Sequence, residues 1–423
     1  MISIEKVQQA AKMIKGKVIK TPLVYSPSLS HMFGGEVYLK LENLQKTGSF
    51  KIRGATYSIL TNQDGIGPGG VVTASAGNHA QGVALAAKQA LIPATIVMPE
   101  WASITKQEAT RSYGDEVVIA GQSLWESLKK AEEIAQKGKT FIHPFDDSDI
   151  ITGQGTIALE ILEDLKETEM ILVPIGGGGI ISGIASTVKS IRPEVKVVGV
   201  QSAACPSAYE SYRLGKITRV ESEQSIADGI SVKQVGELNF DIIQKFVDDV
   251  VLVEEDHIAA AILLLLERKK ILAEGAGAAS LAALLNGSVA IPRGSKVVLL
   301  ISGGNVDSSL LGRILSQGLL KNGRIMRIRI RLADTPGSLA QLLALISGLK
   351  ANVLNIYHDR SVRDLPIYVT RVDLELETRG PAHVEEIAGK LNMAGYEIGL
   401  RLVAASILPA RALRGRRVKQ FPV

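Results

Sequence analysis

Asn43 to Ala55 reads NLQKTGSFKIRGA and places Lys51 just inside an expected helix start that Thr47 or Ser49 could cap. The positive end of a helix dipole disfavours a lysine's charge, and desolvation acts in the same sense. An amine kept neutral in this way is a nucleophile. Further along, Gly176-Gly177-Gly178-Gly179 stands between an apolar run and the helical stretch Ile180 to Ser190. Without Cβ atoms, its N–H groups can ring a phosphate at a helix N-terminus. A dinucleotide loop would instead read Gly-x-Gly-x-x-Gly, with an acidic residue about 20 positions on. Here the sixth position is Ile181 or Ser182 and the next strand ends in Gln201, so a monophosphate fits better.

The elements that must position these groups alternate strand and helix from about residue 37 to residue 302. Strands are expected at Glu36 to Lys40, Gly70 to Ala74, Ala94 to Met98, Met170 to Ile175, Val195 to Val200 and Lys296 to Ile301, with helices after Ser49 and from Asn78. This rhythm implies an α/β fold of mostly parallel sheets with helices on both faces, and sites at the carboxyl ends of strands. The runs ending in Ala74, Ile175 and Ile301 lead at once into Ser75-Ala76-Gly77-Asn78, the tetraglycine and Ser302-Gly303-Gly304-Asn305. Three small-residue loops at strand ends describe one shared pocket. Amine, phosphate cup and polar loops together suggest an aldehyde cofactor with one phosphate, pyridoxal 5'-phosphate.

Beyond a helix near Leu310 to Leu320 and a linker at Gly318 to Gly323, the pattern changes. Met326 to Leu332 alternates strictly, as a strand with one wet face does. The order continues as strand (326–333), turn at Asp334-Thr335-Pro336-Gly337, helix (338–349), strand (352–358), strand (366–377), helix (381–394) and strand (396–404), the ferredoxin-like βαββαβ order.

Composition excludes several classes. With 46% apolar residues over 423 positions, the chain can bury several cores and is not disordered as a whole. The net charge of +5 resides in Arg411, Arg414, Arg416, Arg417 and Lys419, after Pro409, so no nucleic-acid partner is expected. No apolar run approaches the ~20 residues that cross a bilayer, and no secretory leader pattern opens the chain, so a cytoplasmic protein without a membrane partner is expected. The lone cysteine, Cys205, permits no internal disulfide and reads as a buried small hydrophobe.

Lys51 in KTGSFKIRGA, SAGNHAQG at Ser75 to Gly82, the tetraglycine and SGGN at Ser302 to Asn305 resemble, in that order, the signature of the tryptophan-synthase-β-like (fold type II) pyridoxal-phosphate enzymes, and within them the serine/threonine dehydratases. The resemblance covers about residues 5–322. The final βαββαβ unit resembles an ACT domain, a module that binds amino acids. The implied organisation is a two-lobed catalytic domain over 1–322, with a smaller lobe at about 54–145, an ACT-like regulatory domain over 326–405 and a basic tail over 409–423.

The resemblance further implies that Lys51 holds the cofactor as a Schiff base and acts as general base. Asn78 would bond the ring oxygen, Phe50 would lie beside the ring, Gly176, Gly177, Gly178, Gly179 and the Ile180 N–H would hold the phosphate, and Ser302 would face the pyridine nitrogen. Ser75, Gly77, Asn78 and His79 would meet the substrate carboxylate through N–H groups and side chains. The expected partners are an amino-acid substrate, an amino-acid effector at the ACT-like domain and further copies of the chain in a dimer or tetramer.

Two departures from the racemases of this family sharpen the expected activity. Their second serine on the face opposite the lysine is replaced here by Ala76, and the carboxylates of their divalent-metal site by Gln201 and Ser207. Neutral oxygens hold such ions poorly, so no metal is expected. Dehydration of threonine and serine is therefore expected ahead of a serine racemase, a 3-hydroxyaspartate dehydratase or a non-catalytic amino-acid sensor. His143-Pro144-Phe145-Asp146-Asp147 reads as a crossing between lobes, and Glu274 in AEGAGAAS as either a residue near the cofactor ring or a helix cap.

Overall fold

The computed structural model describes residues 2–113, 116–361 and 365–400. In chain order its strands are β1 (Leu23–Tyr25), β2 (Glu36–Leu41), β3 (Val71–Ala74), β4 (Ala94–Met98), β5 (Glu116–Ile119), β6 (Thr140–Phe141), β7 (Met170–Pro174), β8 (Lys196–Ser202), β9 (Asp249–Val253), β10 (Lys296–Ile301), β11 (Ile325–Ala333), β12 (Asn352–Asp359), β13 (Val369–Glu377) and β14 (Ile398–Leu400). Two compact units divide between Asp307 and Ser308.

The first unit holds two sheets. One has the order β1-β2-β10-β7-β8-β9, parallel except for the antiparallel edge pair β1–β2. The other has the order β5-β4-β3-β6 and is parallel throughout. Two α/β lobes are the result. Every residue of β7 is buried, as expected of a central parallel strand covered by helices on both faces. Helix Lys51–Thr61 packs against helices Asn78–Ala90 and Ser148–Asp164. The second contact is close: a Cβ on Gly153 would stand 2.6 Å from Gly54 Cα, so paired glycines let the backbones approach.

An ionic knot, almost wholly buried, holds this helix. Arg53 forks onto Glu42 at 2.8 and 2.8 Å and onto Glu160 at 2.6 and 2.9 Å, while Lys40 donates to Glu160 at 2.6 Å and to Thr21 O at 2.7 Å. Burial alone would raise the Glu42 carboxyl, yet the charge and hydrogen bonds of Arg53 hold it below the ordinary value.

In the second unit, the sheet β12-β13-β11-β14 is antiparallel, with helices Ser338–Gly348 and Pro381–Met393 completing the βαββαβ order. Met326, Ile328, Ile330 and Leu332 face its core. Their alternating arginines are answered across the register, Arg327 by Glu375 at 2.8 Å and Arg329 by Asp373 at 2.7 Å. Helix Ser308–Lys321 falls within this unit and continues through Gly318 into the stretch expected as a linker, so the boundary between the units precedes that stretch. β13 begins at Val369 and not at 366, because the Val369 N–H turns back to Pro366 O at 2.9 Å. The last strand beyond residue 400 and the basic tail lie outside the described residues.

Candidate active site

The carboxyl ends of β3, β7 and β10 carry the three small-residue loops. Stitching between distant segments sets Lys51 among them. Phe50 N–H donates to Ser302 O at 3.1 Å, Gly304 N–H to Gly48 O at 2.9 Å, and Ser49 bridges Gly303. The side-chain caps expected from Thr47 and Ser49 do not form. Phe50 occupies the N-cap position in helical geometry, and both hydroxyls are without a hydrogen-bond partner among the described residues, because pairing to the 302–304 loop already fixes the chain's entry. Lys51 Nζ donates to Pro144 O at 2.7 Å and lies 5.4 Å from the centre of the Phe50 ring. Burial pushes its amine down to about 8, against the opposing pull of the Glu274 charge.

The tetraglycine is a cup of donors. Among the described residues, no N–H from Gly176 to Ile180 has a protein acceptor, although all five residues are buried at the start of helix Gly179–Ile191. Buried donors without acceptors are rare, and five together at a helix N-terminus fit an anion such as a phosphate. A Cβ would stand 2.9 Å from Ile230 Cα at Gly176, 2.5 Å from the Phe145 ring at Gly177, 2.7 Å from Asn239 Cβ at Gly178 and 2.8 Å from Phe145 O at Gly179. Gly178 also has φ +100°, a left-handed conformation that favours glycine.

The crossing segment expected at His143 to Asp147 runs between the lobes and does three things. Pro144 O meets Lys51, Phe145 backs the glycines, and Asp146 accepts from Glu237 N at 2.9 Å and Asn239 N at 3.2 Å. Burial lowers the His143 imidazole, whose Nδ1 accepts from the N–H groups of Phe145 and Asp146 at 3.2 and 2.7 Å.

At the end of β10, Ser302 is 2% exposed, and its hydroxyl has no hydrogen-bond partner among the described residues. At the end of β3, Ser75 N–H is spent on Val97 O at 3.1 Å, and Gly77 N–H on Ser75 Oγ at 3.2 Å. Among the described residues, the N–H groups of Ala76, Asn78 and His79 have no protein acceptor. The His79 ring is buried with Nε2 3.3 Å from Ile142 O, and burial keeps it well below the ordinary histidine value. The ring pins the loop, so His79 offers an anion its N–H rather than its side chain.

Sequence reasoning gave Asn305, Lys106 and Asp228 no role. Asn305 bonds Asn78. Lys106, on helix Ile104–Arg111 of the smaller lobe, pairs with Asp228 at 3.0 Å. Glu274 stands at an N-cap position but makes no cap bond; its carboxylate meets Asn78, and burial pushes it up to about 7. Gln201 and Ser207 commit their oxygens to the protein: Gln201 Oε1 accepts from the N–H groups of Ala208 and Tyr209 at 2.9 and 3.0 Å, and Ser207 Oγ donates to Val232 O at 2.5 Å.

The family model described as "Pyridoxal-phosphate dependent enzyme" matches residues 14–303. This chain belongs to the pyridoxal-phosphate dependent enzymes. The cup of free N–H groups, the depressed Lys51 amine and the unpartnered Ser302 hydroxyl fit the phosphate, aldehyde and pyridine nitrogen of that cofactor. An L-threonine ammonia-lyase from Thermotoga maritima is 49% identical to this pyridoxal-phosphate enzyme over 399 residues, spanning 94% of this chain and 99% of its own. One from Geobacter sulfurreducens is 46% identical over 391 residues, spanning 92% and 97%. Among solved structures, maize serine racemase matches with a TM-score of 0.71 and 36% identity over 75% of this chain and 98% of its own. The processed form of threonine deaminase isoform 2 from Solanum lycopersicum matches with a TM-score of 0.69 and 34% identity over 74% and 86%. The fold is common to deaminases and racemases. Among the described residues, no helix is long and apolar enough to cross a membrane.

Proposed function

We propose that this chain is a cytoplasmic L-threonine ammonia-lyase, converting L-threonine to 2-oxobutanoate and ammonia and L-serine to pyruvate. The observation that carries this reading is the 49% identity to a named threonine ammonia-lyase over nearly the full length of both chains. Ala76 favours it over a racemase, since no hydroxyl stands at that position to reprotonate Cα.

When bound, the cofactor supplies an aldehyde that captures the substrate amine and a ring that withdraws electrons from Cα. The N–H groups of Gly176 to Ile180 would hold its phosphate, and Ser302 would face its ring nitrogen. A serine hydroxyl there would donate to that nitrogen without charging it, and the ring would then be a weaker electron sink than one with a carboxylate partner. Ala76, Asn78 and His79 present N–H groups to the substrate carboxylate. Lys51, with its amine near 8, takes the Cα proton as general base. Loss of that proton and of the β-hydroxyl as water leaves an enamine, which tautomerises to an imine and hydrolyses to 2-oxo acid and ammonia.

For the second unit, we propose the role of an ACT-like domain that binds an amino-acid effector and joins copies of the chain into a dimer or tetramer. A cavity of about 370 Å³ lies beside the Asp334–Gly337 turn, lined by His358, Arg360 and Thr370 among others. The start of helix Ser338–Gly348 offers N–H groups to a carboxylate there. An effector acts only through its difference in affinity for two states.

Turnover of threonine, serine and 3-hydroxyaspartate, measured side by side with and without isoleucine and valine, tests both readings. Threonine is expected to be the best substrate, and Ser338→Asp to remove any amino-acid response by placing a competing carboxylate at the helix start. Racemisation of serine as fast as its deamination would overturn the first reading, and an unchanged response in Ser338→Asp the second.

A further inference from the structure

Asn78 is held at both ends by side chains from two other loops. The Nδ2 of Asn305 meets Thr47 O at 2.8 Å and Asn78 Oδ1 at 2.7 Å. A main-chain carbonyl only accepts, so the Asn305 amide cannot be turned over. Asn78 must then show Oδ1 to Asn305, which directs its Nδ2 to Glu274 Oε1 at 2.7 Å. Two hydrogen bonds thus assign both amides without ambiguity.

The Glu274 end is equally fixed. Glu274 is 5% exposed, its main-chain N–H donates to Gly303 O at 3.1 Å, and its Oε1 fills the space that a Cβ on Gly303 would need. Asn78 itself is the first residue of helix Asn78–Ala90. A free asparagine at a helix start turns its side chain to nearby backbone N–H groups. Tethered as it is, Asn78 spends one Nδ2 hydrogen on Glu274 and retains one.

We propose that Asn305 and Glu274 are positioning residues that grip the Asn78 carboxamide from both ends and present its remaining N–H to the ring oxygen of the cofactor. The proposal rests on the assignment of Asn78 to the cofactor site. It also explains why three loops from two lobes converge on one amide: Asn78 follows β3 of the smaller sheet, Asn305 follows β10 of the larger, and Glu274 precedes helix Gly275–Leu285.

The test compares Asn78→Ala, Asn305→Ala, Asn305→Asp, Glu274→Ala, Glu274→Gln and the double variant Asn305→Ala/Glu274→Ala. Three readouts are taken: the dissociation constant of pyridoxal 5'-phosphate from the cofactor-free protein, the position of the visible absorption band, and kcat and KM for threonine. Asn78→Ala, Asn305→Ala and Glu274→Ala should each weaken cofactor binding about tenfold, shift the band and lower kcat more than they change KM. Glu274→Gln keeps an acceptor for Asn78 and should recover to within about threefold of the parent. The double variant should be little worse than the poorer single one, because both ends hold one group.

Parental behaviour of Asn78→Ala would overturn the assignment of Asn78 itself. An altered Asn78→Ala beside unaltered Asn305→Ala and Glu274→Ala would overturn the grip alone. So would a Glu274→Gln variant as damaged as Glu274→Ala, which would make Glu274 a proton carrier, or losses that add in full. Should Glu274→Ala not fold, Asn305→Asp decides: it keeps the shape, removes the donor to Asn78 Oδ1, and must reproduce the band shift.

Discussion

Lys40 and Lys51 both lie inside the catalytic unit, and their surroundings differ in one respect. Lys40 is fully buried with a carboxylate 2.6 Å away, in a knot where Arg53 forks onto two glutamates. Lys51 meets a neutral carbonyl, Pro144 O, at 2.7 Å, and the Glu274 charge acts on it without an ion pair. Burial depresses the Lys51 amine because no countercharge comes within hydrogen-bond reach of it. The two regions share one helix: Arg53, two residues after Lys51, anchors in the knot the helix whose first residue faces the cleft. Charge is locked in one region so that it can be withheld in the other.

Lys51→Ala should break the comparison most severely. It removes both the covalent anchor and the base, so 2-oxobutanoate production should fall ~10³-fold or more, and the protein should stay colourless while remaining folded. Arg53→Met strikes the other region by leaving Glu42 and Glu160 without their shared cation. Removing one partner of a buried ion pair costs about 3–5 kcal/mol, so urea unfolding should shift by an amount of that order. Activity that falls while stability holds would reverse the roles given to the two regions. Gly177→Ala drives a Cβ into the Phe145 ring at 2.5 Å and should weaken cofactor retention about tenfold, read by dialysis against cofactor-free buffer. Smallest is the effect of Ala76→Ser, a measurable but slow formation of D-serine from L-serine, followed by chiral chromatography.

The cleft was more legible in the sequence than the knot. Lys51 stands at an expected helix start, and the tetraglycine and the 75–79 and 302–305 loops begin with small residues directly after apolar runs, local patterns that survive in one dimension. Lys40, Glu42, Arg53 and Glu160 look like ordinary surface charges, because their burial depends on helix Ser148–Asp164 folding back over β2 about 110 residues away. The expected caps at Thr47 and Ser49 failed for a similar reason, since their chain segment is held by pairing to residues 302–304. Asn305 stood within a recognised motif, but its bond to Asn78 spans 227 positions and leaves no trace in spacing. Glu274 was readable as a site residue or a cap, and only the direction of its carboxylate decides between them.

The central claim, that Lys51 is an amine deprived of countercharge, is tested most directly by trace acetylation of the cofactor-free protein across pH, with the labelled lysines quantified by mass spectrometry. Lys51 should gain reactivity with a midpoint near pH 8, while Lys40 stays unlabelled until the protein unfolds. A Lys51 midpoint near the ordinary lysine value of 10.5, or labelling of Lys40 in the folded protein, would contradict it.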